Sequence, residues 1–270
     1  MHPVPLFPKL HIKGTSFVVY ELDSNDKVNL NPGTYLLTFK VGYMLMNYLC
    51  NRKELVAYNR GFLYNGTTSN DYVAIDSPGK ETYTSLITKN KTIHCIIRDP
   101  YKRFLSGIVQ VALVPAQLRT TLKFMDTKKH KILRKITGGP WFKITKYAEG
   151  KFIDYLVDFF NNWLTYSISK DAHLSAYHNA LYHFMQSYKD LDIKIINLEE
   201  IHLLNLPEHQ KTQIKHSNSF WYPLINKALQ DPRIKPRVQR YIKSYIDSEI
   251  KYYKKLKVLS SKLSSVLTIL

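Results

Sequence analysis

The chain has 270 residues, 44% of them hydrophobic, and carries 39 Lys and Arg against 21 Asp and Glu, for a formal net charge of +18. This composition excludes a disordered protein and is sufficient for one large α/β domain or two small ones. Only two cysteines are present, Cys50 and Cys95, which excludes a disulfide framework and predicts two free thiols buried in the core.

Predicted strands and helices alternate along the chain. Residues 10–22 are expected to form a strand or one arm of a hairpin, and short apolar runs predict buried strands at 34–39, 92–97 and 193–198. Helical spacing is found at 43–51, 101–113, 152–167, 181–188 and 237–270. Residues 116–150 are basic and contain glycine, which indicates an irregular insertion. Apolar strands separated by helices predict a parallel sheet that is covered on both faces.

The sequence contains no candidate for a membrane-spanning segment. It has no apolar signal region near its start, and no stretch approaches the ~20 apolar residues that a spanning helix needs. We therefore expect a cytoplasmic protein, or a chain from which an anchor has been removed. The positive charge favours anionic ligands, which include nucleotides, nucleic acids, acidic glycans and anionic membranes, and does not choose among them.

Lys40, Val41 and Gly42 lie between the first apolar strand and the helix predicted at 43–51. A glycine at such a turn lets backbone N–H groups approach an anion closely, and the N-terminus of the helix adds its dipole. The GxxxxGK[ST] pattern of an ordinary nucleoside-triphosphate loop is absent. On this segment alone a plain strand-to-helix turn with a surface lysine is the stronger interpretation, and an anion site with Lys40 as its mobile charge is the alternative.

Arg98 follows the next apolar strand, and Asp99 and Pro100 then begin a helix. Proline suits the first helical turn, and an aspartate can cap it. Ser106 lies about two helical turns beyond Arg98, and a guanidinium together with a hydroxyl suits a phosphate monoester. Lys40 and Arg98 both follow strands, at the edge where α/β sheets bind ligands. A capped helix with an ordinary ion pair remains the alternative.

At these residues the chain resembles the carbohydrate-type sulfotransferases, whose donor is 3′-phosphoadenosine-5′-phosphosulfate. The segment Arg98-Asp-Pro-x-x-Arg-x-x-Ser106 is similar to the family's 3′-phosphate motif, and Lys40-Val-Gly42 stands where the family keeps its 5′-phosphosulfate loop. Further segments follow in the family's order over about residues 34–256: Asp171-Ala-His173, the strand that ends at Glu199, the loop His216-Ser-Asn218-Ser219, and Tyr245-Ile-Asp247.

The resemblance implies a three-layer α/β sandwich with a central parallel sheet, similar to the P-loop kinases, formed by one domain over residues 1–270. It implies that the insertion at 116–150 lies on the acceptor side and that 237–270 is a C-terminal helical segment. The donor would be held by these residues: Lys40, Val41, Gly42, Tyr43, Arg98, Ser106, Asn218 and Ser219.

The resemblance also implies a reaction, which moves a sulfuryl group to a hydroxyl or amine of a glycan or another small acceptor. Lys40 would neutralise the leaving oxygen, and His173 is the candidate general base because histidine titrates near neutral pH. His173 is equally explained as a structural residue. Asp71 and Asp76 are weaker candidates, and His94, inside a strand, is expected in the core. No metal is expected.

One departure from the family concerns the 5′ loop, where Ser or Thr normally follows the glycine. This chain has Tyr43, Met44 and Leu45 there, so a hydroxyl contact worth about 1–3 kcal/mol would be missing. A family member that binds nucleotide poorly, without activity, therefore stays open.

Two other classes of protein also stay open. The charge and the abundant tyrosine suit a nucleic-acid-binding protein, although no recognisable DNA- or RNA-binding motif is present, and a kinase-like nucleotide enzyme is disfavoured by the missing lysine–serine pair. An anionic acceptor could be met by Lys102, Arg103 and Lys146, which a solvated surface explains equally well.

Overall fold

A computed structural model of the chain describes residues 16–24, 27–65, 72–74, 92–113, 146–162, 164–171, 173–187, 191–203, 205–206 and 221–267. Some of the predictions lie outside these residues: the first part of the strand at 10–22, most of the insertion at 116–150, Asp71, Asp76, Asn218 and Ser219.

The described residues form a six-stranded sheet in the spatial order β4-β3-β1-β2-β5-β6. The strands are β1 (Ser16–Ser24), β2 (Gly33–Leu37), β3 (Leu55–Asn65), β4 (Tyr72–Ala74), β5 (Thr92–Ile97) and β6 (Asp192–Asn197). The three strands predicted from apolar runs are β2, β5 and β6, and they are parallel neighbours. The expectation of an α/β fold is confirmed.

The other half of the sheet corrects the expectation of a purely parallel sheet. β1 is antiparallel to both β2 and β3, and β4 is antiparallel to β3. The loop between β1 and β2 is short, and parallel neighbours need a crossover of a dozen or more residues, so these two strands pair as a hairpin. β3 was missed altogether because its sequence, LVAYNRGFLYN, interrupts apolar residues with Asn, Arg and Gly.

Helices connect and cover these strands. They are α1 (Tyr43–Asn51), α2 (Pro100–Ile108), which a π-helical turn continues (Val109–Leu113), α3 (Lys146–Asn162), α4 (Leu164–Lys170), α5 (Tyr177–Ser187), α6 (Tyr222–Leu229) and α7 (Pro236–Leu267), with a 3₁₀-helix after β6 (Leu198–Leu203). The predicted helix at 152–167 is two helices, and the one at 181–188 begins four residues earlier than expected. No helix in the described ranges is long and apolar enough to span a membrane.

Two groups of buried side chains form the core. One surrounds the sheet and includes α1 and α5, and the other joins α2, α3, α4, α6 and the first half of α7. In β2 and β5 successive residues are buried, which means that both faces of these central strands are covered. Cys95 is a buried free thiol, as expected, whereas the free thiol Cys50 is only partly buried.

Candidate functional site

The loop between β2 and α1 is a tight turn at the carboxyl edge of the sheet. The backbone N–H of Val41 donates to the carbonyl of Thr38 at 3.1 Å, which closes the turn. Two residues in it have left-handed backbones, Lys40 with φ 65° and Gly42 with φ 80°. Gly42 immediately precedes α1 and caps it without a side-chain hydrogen bond. The loop therefore has the glycine-before-helix form that the sequence predicted, with an additional strained residue at Lys40.

Lys40 extends from this loop into a half-buried position. Its Nζ donates to Oε1 of Gln110 at 2.5 Å, from the π-helical turn that follows α2. Burial and, to a smaller extent, the positive charge of Arg98 lower its pKa to about 8, and the charge of Asp171 partly opposes both effects. The charged form of a buried ammonium with a lowered pKa is stabilised by any anion that binds beside it.

Arg98 lies at the end of the neighbouring strand β5 and is directed to the same loop. Its Nη1 donates to the carbonyl oxygen of Lys40 at 3.0 Å and to Oγ of Ser106 at 3.2 Å. Its Nε lies 4.0 Å from a carboxylate oxygen of Glu199, at the end of β6. Within the described residues, Nη2 has no hydrogen-bond partner, and the side chain is 19% exposed. One edge of the guanidinium thus binds protein while another is open to a ligand.

The start of α2 is built as the sequence predicted. The carboxylate of Asp99 accepts from the backbone N–H of Lys102 at 2.8 Å, and Pro100 occupies the first turn. This cap fixes α2 directly after β5, so that Ser106 faces Arg98.

Ser106 differs from the expectation in being almost fully buried, with 1% of its surface exposed. Its Oγ lies 2.6 Å from the hydroxyl of Tyr222, at the start of α6. The two hydroxyl groups carry one proton each, and the hydrogen bond between them uses only one of these two protons. The other remains for a further acceptor, which the half-buried Tyr222 can reach more easily than Ser106 can. No role was predicted for Tyr222, although it lies shortly after the predicted loop at Asn218.

His173 and Asp171 form a hydrogen-bonded pair. Nδ1 of His173 lies 2.7 Å from Oδ1 of Asp171, which also accepts the backbone N–H of His173 at 2.8 Å. The imidazole packs on the ring of Phe39, with 4.6 Å between centroids, and Phe39 directly precedes Lys40. A carboxylate at Nδ1 fixes the orientation of an imidazole, as it does in hydrolytic triads. The pair adjoins the Lys40 loop and is 8% exposed at His173.

Arg103 corrects the expectation of a surface or acceptor-facing cation. It is 1% exposed, and its Nη1 donates to the carbonyl of Ser175 at 2.7 Å and lies 3.9 Å from the carboxylate of Glu249. Tyr245 donates from its hydroxyl to the carbonyl of Leu174 at 2.7 Å. Arg103 is therefore a buried residue that supports the segment following His173.

The remaining predicted residues have mixed outcomes. Lys102 is exposed and lies 4.0 Å from Glu199, while Lys146 begins α3 and its side chain is outside the described set. His94 is buried in β5, as expected, and stacks on Tyr35 with 4.5 Å between centroids. Asp247 is exposed and pairs with a lysine of its own helix.

The structure thus brings together the Lys40 loop, Arg98, Ser106 and His173 at one edge of the sheet. Among the described residues, no group of three His, Cys, Asp or Glu side chains could hold a metal ion. Comparison of the chain with family models, curated proteins and solved structures finds no match.

The arrangement of these residues is suited to binding a dianion or two anionic groups. Two cationic side chains, a helix N-terminus and a hydroxyl pair converge there, with a histidine–carboxylate pair beside them. The residues that sequence reasoning missed are Gln110, from the π-helical turn after α2, and Tyr222, from the start of α6. Asp171 was expected only as part of the segment Asp171-Ala-His173, without a role of its own.

Proposed function

We propose that this site binds an adenosine nucleotide with phosphates at the 3′ and 5′ positions and transfers a sulfuryl group from 3′-phosphoadenosine-5′-phosphosulfate to an acceptor hydroxyl or amine. The observation that carries the proposal is the contact between neighbouring strand ends, in which Arg98 donates to the carbonyl of Lys40. This contact brings the guanidinium to the loop that carries Lys40. Its charge is one of the causes that lower the pKa of the Lys40 ammonium, and a shared anionic ligand would relieve that repulsion.

The 3′-phosphate would bind at Arg98. The open Nη2 edge of its guanidinium can donate two N–H groups, and the spare hydroxyl proton of the Ser106–Tyr222 pair supplies a further donor. Charge-assisted hydrogen bonds of this kind are about twice as strong as neutral ones. The carboxylate of Glu199, at 4.0 Å from Nε, forms an ion pair with the guanidinium.

The 5′-phosphosulfate would bind at the loop. The first turn of α1 has N–H groups without intrahelical partners, and the left-handed Gly42 lets the backbone approach the anion. Lys40 has two N–H bonds beyond the one that it donates to Gln110, and no residue in the described ranges accepts from them. These donors compensate for the missing Ser or Thr hydroxyls after Gly42.

Catalysis would follow from charge and position. The donor supplies an activated sulfuryl group, whose bond to the bridging phosphate oxygen breaks as the acceptor oxygen bonds to sulfur. Lys40 stabilises the negative charge that develops on that bridging oxygen. His173, oriented by Asp171, accepts the proton that the acceptor hydroxyl loses.

Calorimetric titration with adenosine 3′,5′-bisphosphate tests the proposal. Arg98→Ala should weaken binding about tenfold or more, because it removes charge-assisted hydrogen bonds. Arg240→Ala removes the same charge from the exposed face of α7 and should leave the affinity unchanged. Equal affinity in wild type and Arg98→Ala would refute the site. Salt-sensitive binding to duplex DNA, without affinity for the bisphosphate, would support the nucleic-acid-binding alternative instead.

Turnover separates binding from catalysis. With Lys40→Ala, release of the bisphosphate from the donor should slow more than bisphosphate binding weakens, because the ammonium acts most strongly on charge present only in the transition state. Equal losses in both measurements would make Lys40 a binding residue only.

A further inference from the structure

A single nitrogen of Arg98 connects two parts of the site. Nη1 of a guanidinium carries two N–H bonds, and here one is donated to the carbonyl of Lys40 and the other to Oγ of Ser106. Both donors are therefore used within the protein. A phosphate at Arg98 would have to bind the other edge of the guanidinium, which leaves the Lys40 contact in place.

The Lys40 contact bears on the shape of the loop. Lys40 has φ 65°, a left-handed conformation that costs a non-glycine residue roughly 1–2 kcal/mol. Such a conformation persists only where the surrounding structure holds it. The contacts that hold it come from the loop's own turn at Thr38, from Gln110 on the side chain, and from Arg98 on the carbonyl.

We propose that Arg98 is a positioning residue for the β2–α1 loop, in addition to binding one phosphate. This inference rests on the proposed function, since it concerns the loop assigned to the 5′ group. A residue that bound only a 3′-phosphate would be irrelevant to a nucleotide that lacks one. A residue that also shapes the 5′ loop is needed by every nucleotide that uses the loop.

Two variants separate these roles. Arg98→Lys keeps a positive charge but presents a compact ammonium, which cannot bridge the Lys40 carbonyl and Ser106 with the geometry of one planar fork. Tyr222→Phe removes a hydroxyl on the Ser106 side of the site and leaves the loop contact intact. The buried Ser106 keeps one of its two hydrogen-bond partners in each variant, Tyr222 in Arg98→Lys and Arg98 in Tyr222→Phe.

The test is calorimetric titration of wild type and both variants with adenosine 5′-monophosphate and adenosine 3′,5′-bisphosphate. Arg98→Lys should weaken binding of the 5′-monophosphate about tenfold, a loss typical of one charge-assisted hydrogen bond. Tyr222→Phe should weaken only the bisphosphate. If Arg98→Lys binds the 5′-monophosphate as wild type does while losing affinity for the bisphosphate, the positioning role is wrong and the proposed function survives.

Amide hydrogen exchange without nucleotide gives a second, independent readout. The N–H of Val41, which closes the loop on Thr38, should exchange faster in Arg98→Lys than in wild type or Tyr222→Phe. Unchanged exchange in Arg98→Lys would overturn the inference. If wild type binds neither nucleotide, the proposed function fails, and faster exchange in Arg98→Lys would still support the positioning role.

Discussion

The pKa of Lys40 gives the most specific prediction about the site. Burial and the neighbouring Arg98 lower it to about 8, against the opposing effect of Asp171, so the free protein loses this charge just above neutral pH. A bound anion favours the ammonium and raises its pKa. The affinity for adenosine 3′,5′-bisphosphate should therefore fall as the pH rises through 8.

The size of the effect follows from the ionisation. Between pH 7 and pH 9 the protonated fraction of a group with a pKa of about 8 falls about tenfold, which is about 1.4 kcal/mol of binding free energy. Phosphate monoesters have their second pKa near 6 and are therefore mostly dianionic by pH 7, and carboxylates and guanidinium groups do not titrate between pH 7 and pH 9. The Kd of the bisphosphate should accordingly rise about tenfold between these two pH values.

Calorimetry at pH 7, 8 and 9 in constant ionic strength measures this change. Lys40→Arg is the matched control, because a guanidinium stays charged throughout and its Kd should be nearly constant. A wild-type Kd that does not vary between pH 7 and pH 9 would refute the reasoning. The same slope in wild type and in Lys40→Arg would show that another group titrates.

Three further predictions concern the scaffold, and urea unfolding measures each of them. Gly107→Ala places a Cβ 2.6 Å from the carbonyl oxygen of His173 and should lower the free energy of unfolding by about 1–3 kcal/mol. Gly150→Ala, where a Cβ meets nothing within 4 Å, should raise it by about 0.5–1 kcal/mol. Equal effects of the two substitutions would contradict the packing at Gly107. Glu249→Gln breaks a buried ion pair and should lower the free energy of unfolding by about 3–5 kcal/mol. The exposed Asp247→Asn should lower it by less than about 0.5 kcal/mol. Similar losses in the two variants would contradict a buried ion pair at Glu249. Burial and a nearby lysine lower the pKa of His94 from 6.5, so the neutral imidazole contributes fully to the free energy of unfolding above that pH. This free energy should fall on acidification to pH 5.5, and it should fall less in a His94→Gln variant.

Local sequence signals predicted the two ends of the site. A short apolar run followed by a glycine specifies strand, turn and helix around Lys40, and Asp99 with Pro100 specifies the start of α2. These signals depend on only a few neighbouring residues, so they can be interpreted without knowing the rest of the fold. The carboxyl ends of parallel strands share one edge of the sheet, so the sequence also sufficed to predict that Lys40 and Arg98 lie near each other.

Contacts between distant segments were beyond sequence reasoning. Tyr222 reaches Ser106 across 116 residues, and Gln110 reaches Lys40 across 70. Arg103 follows another basic residue, a pattern typical of surfaces, and its buried position depends on distant partners, which include Ser175 and two residues of α7. The pairing of β3 with β1 likewise depends on a partner strand that its own mixed sequence does not indicate.

The buried charges beneath His173 have a physical reason that stability alone does not supply. Burying a charged pair costs several kcal/mol, and apolar residues of similar volume would serve a core as well or better. Apolar residues cannot, however, donate to the carbonyls of Leu174 and Ser175, as Tyr245 and Arg103 do.

These hydrogen bonds fix the backbone directly after His173, while Gly107 allows α2 to approach the same segment closely. Helix α2 therefore carries Ser106 on one turn and, on the turn before it, Arg103, which positions the backbone next to the candidate base His173. A displacement of α2 would therefore disturb the anion site and the histidine together, so the effects of substitutions at Arg103 and Ser106 on turnover should not be additive.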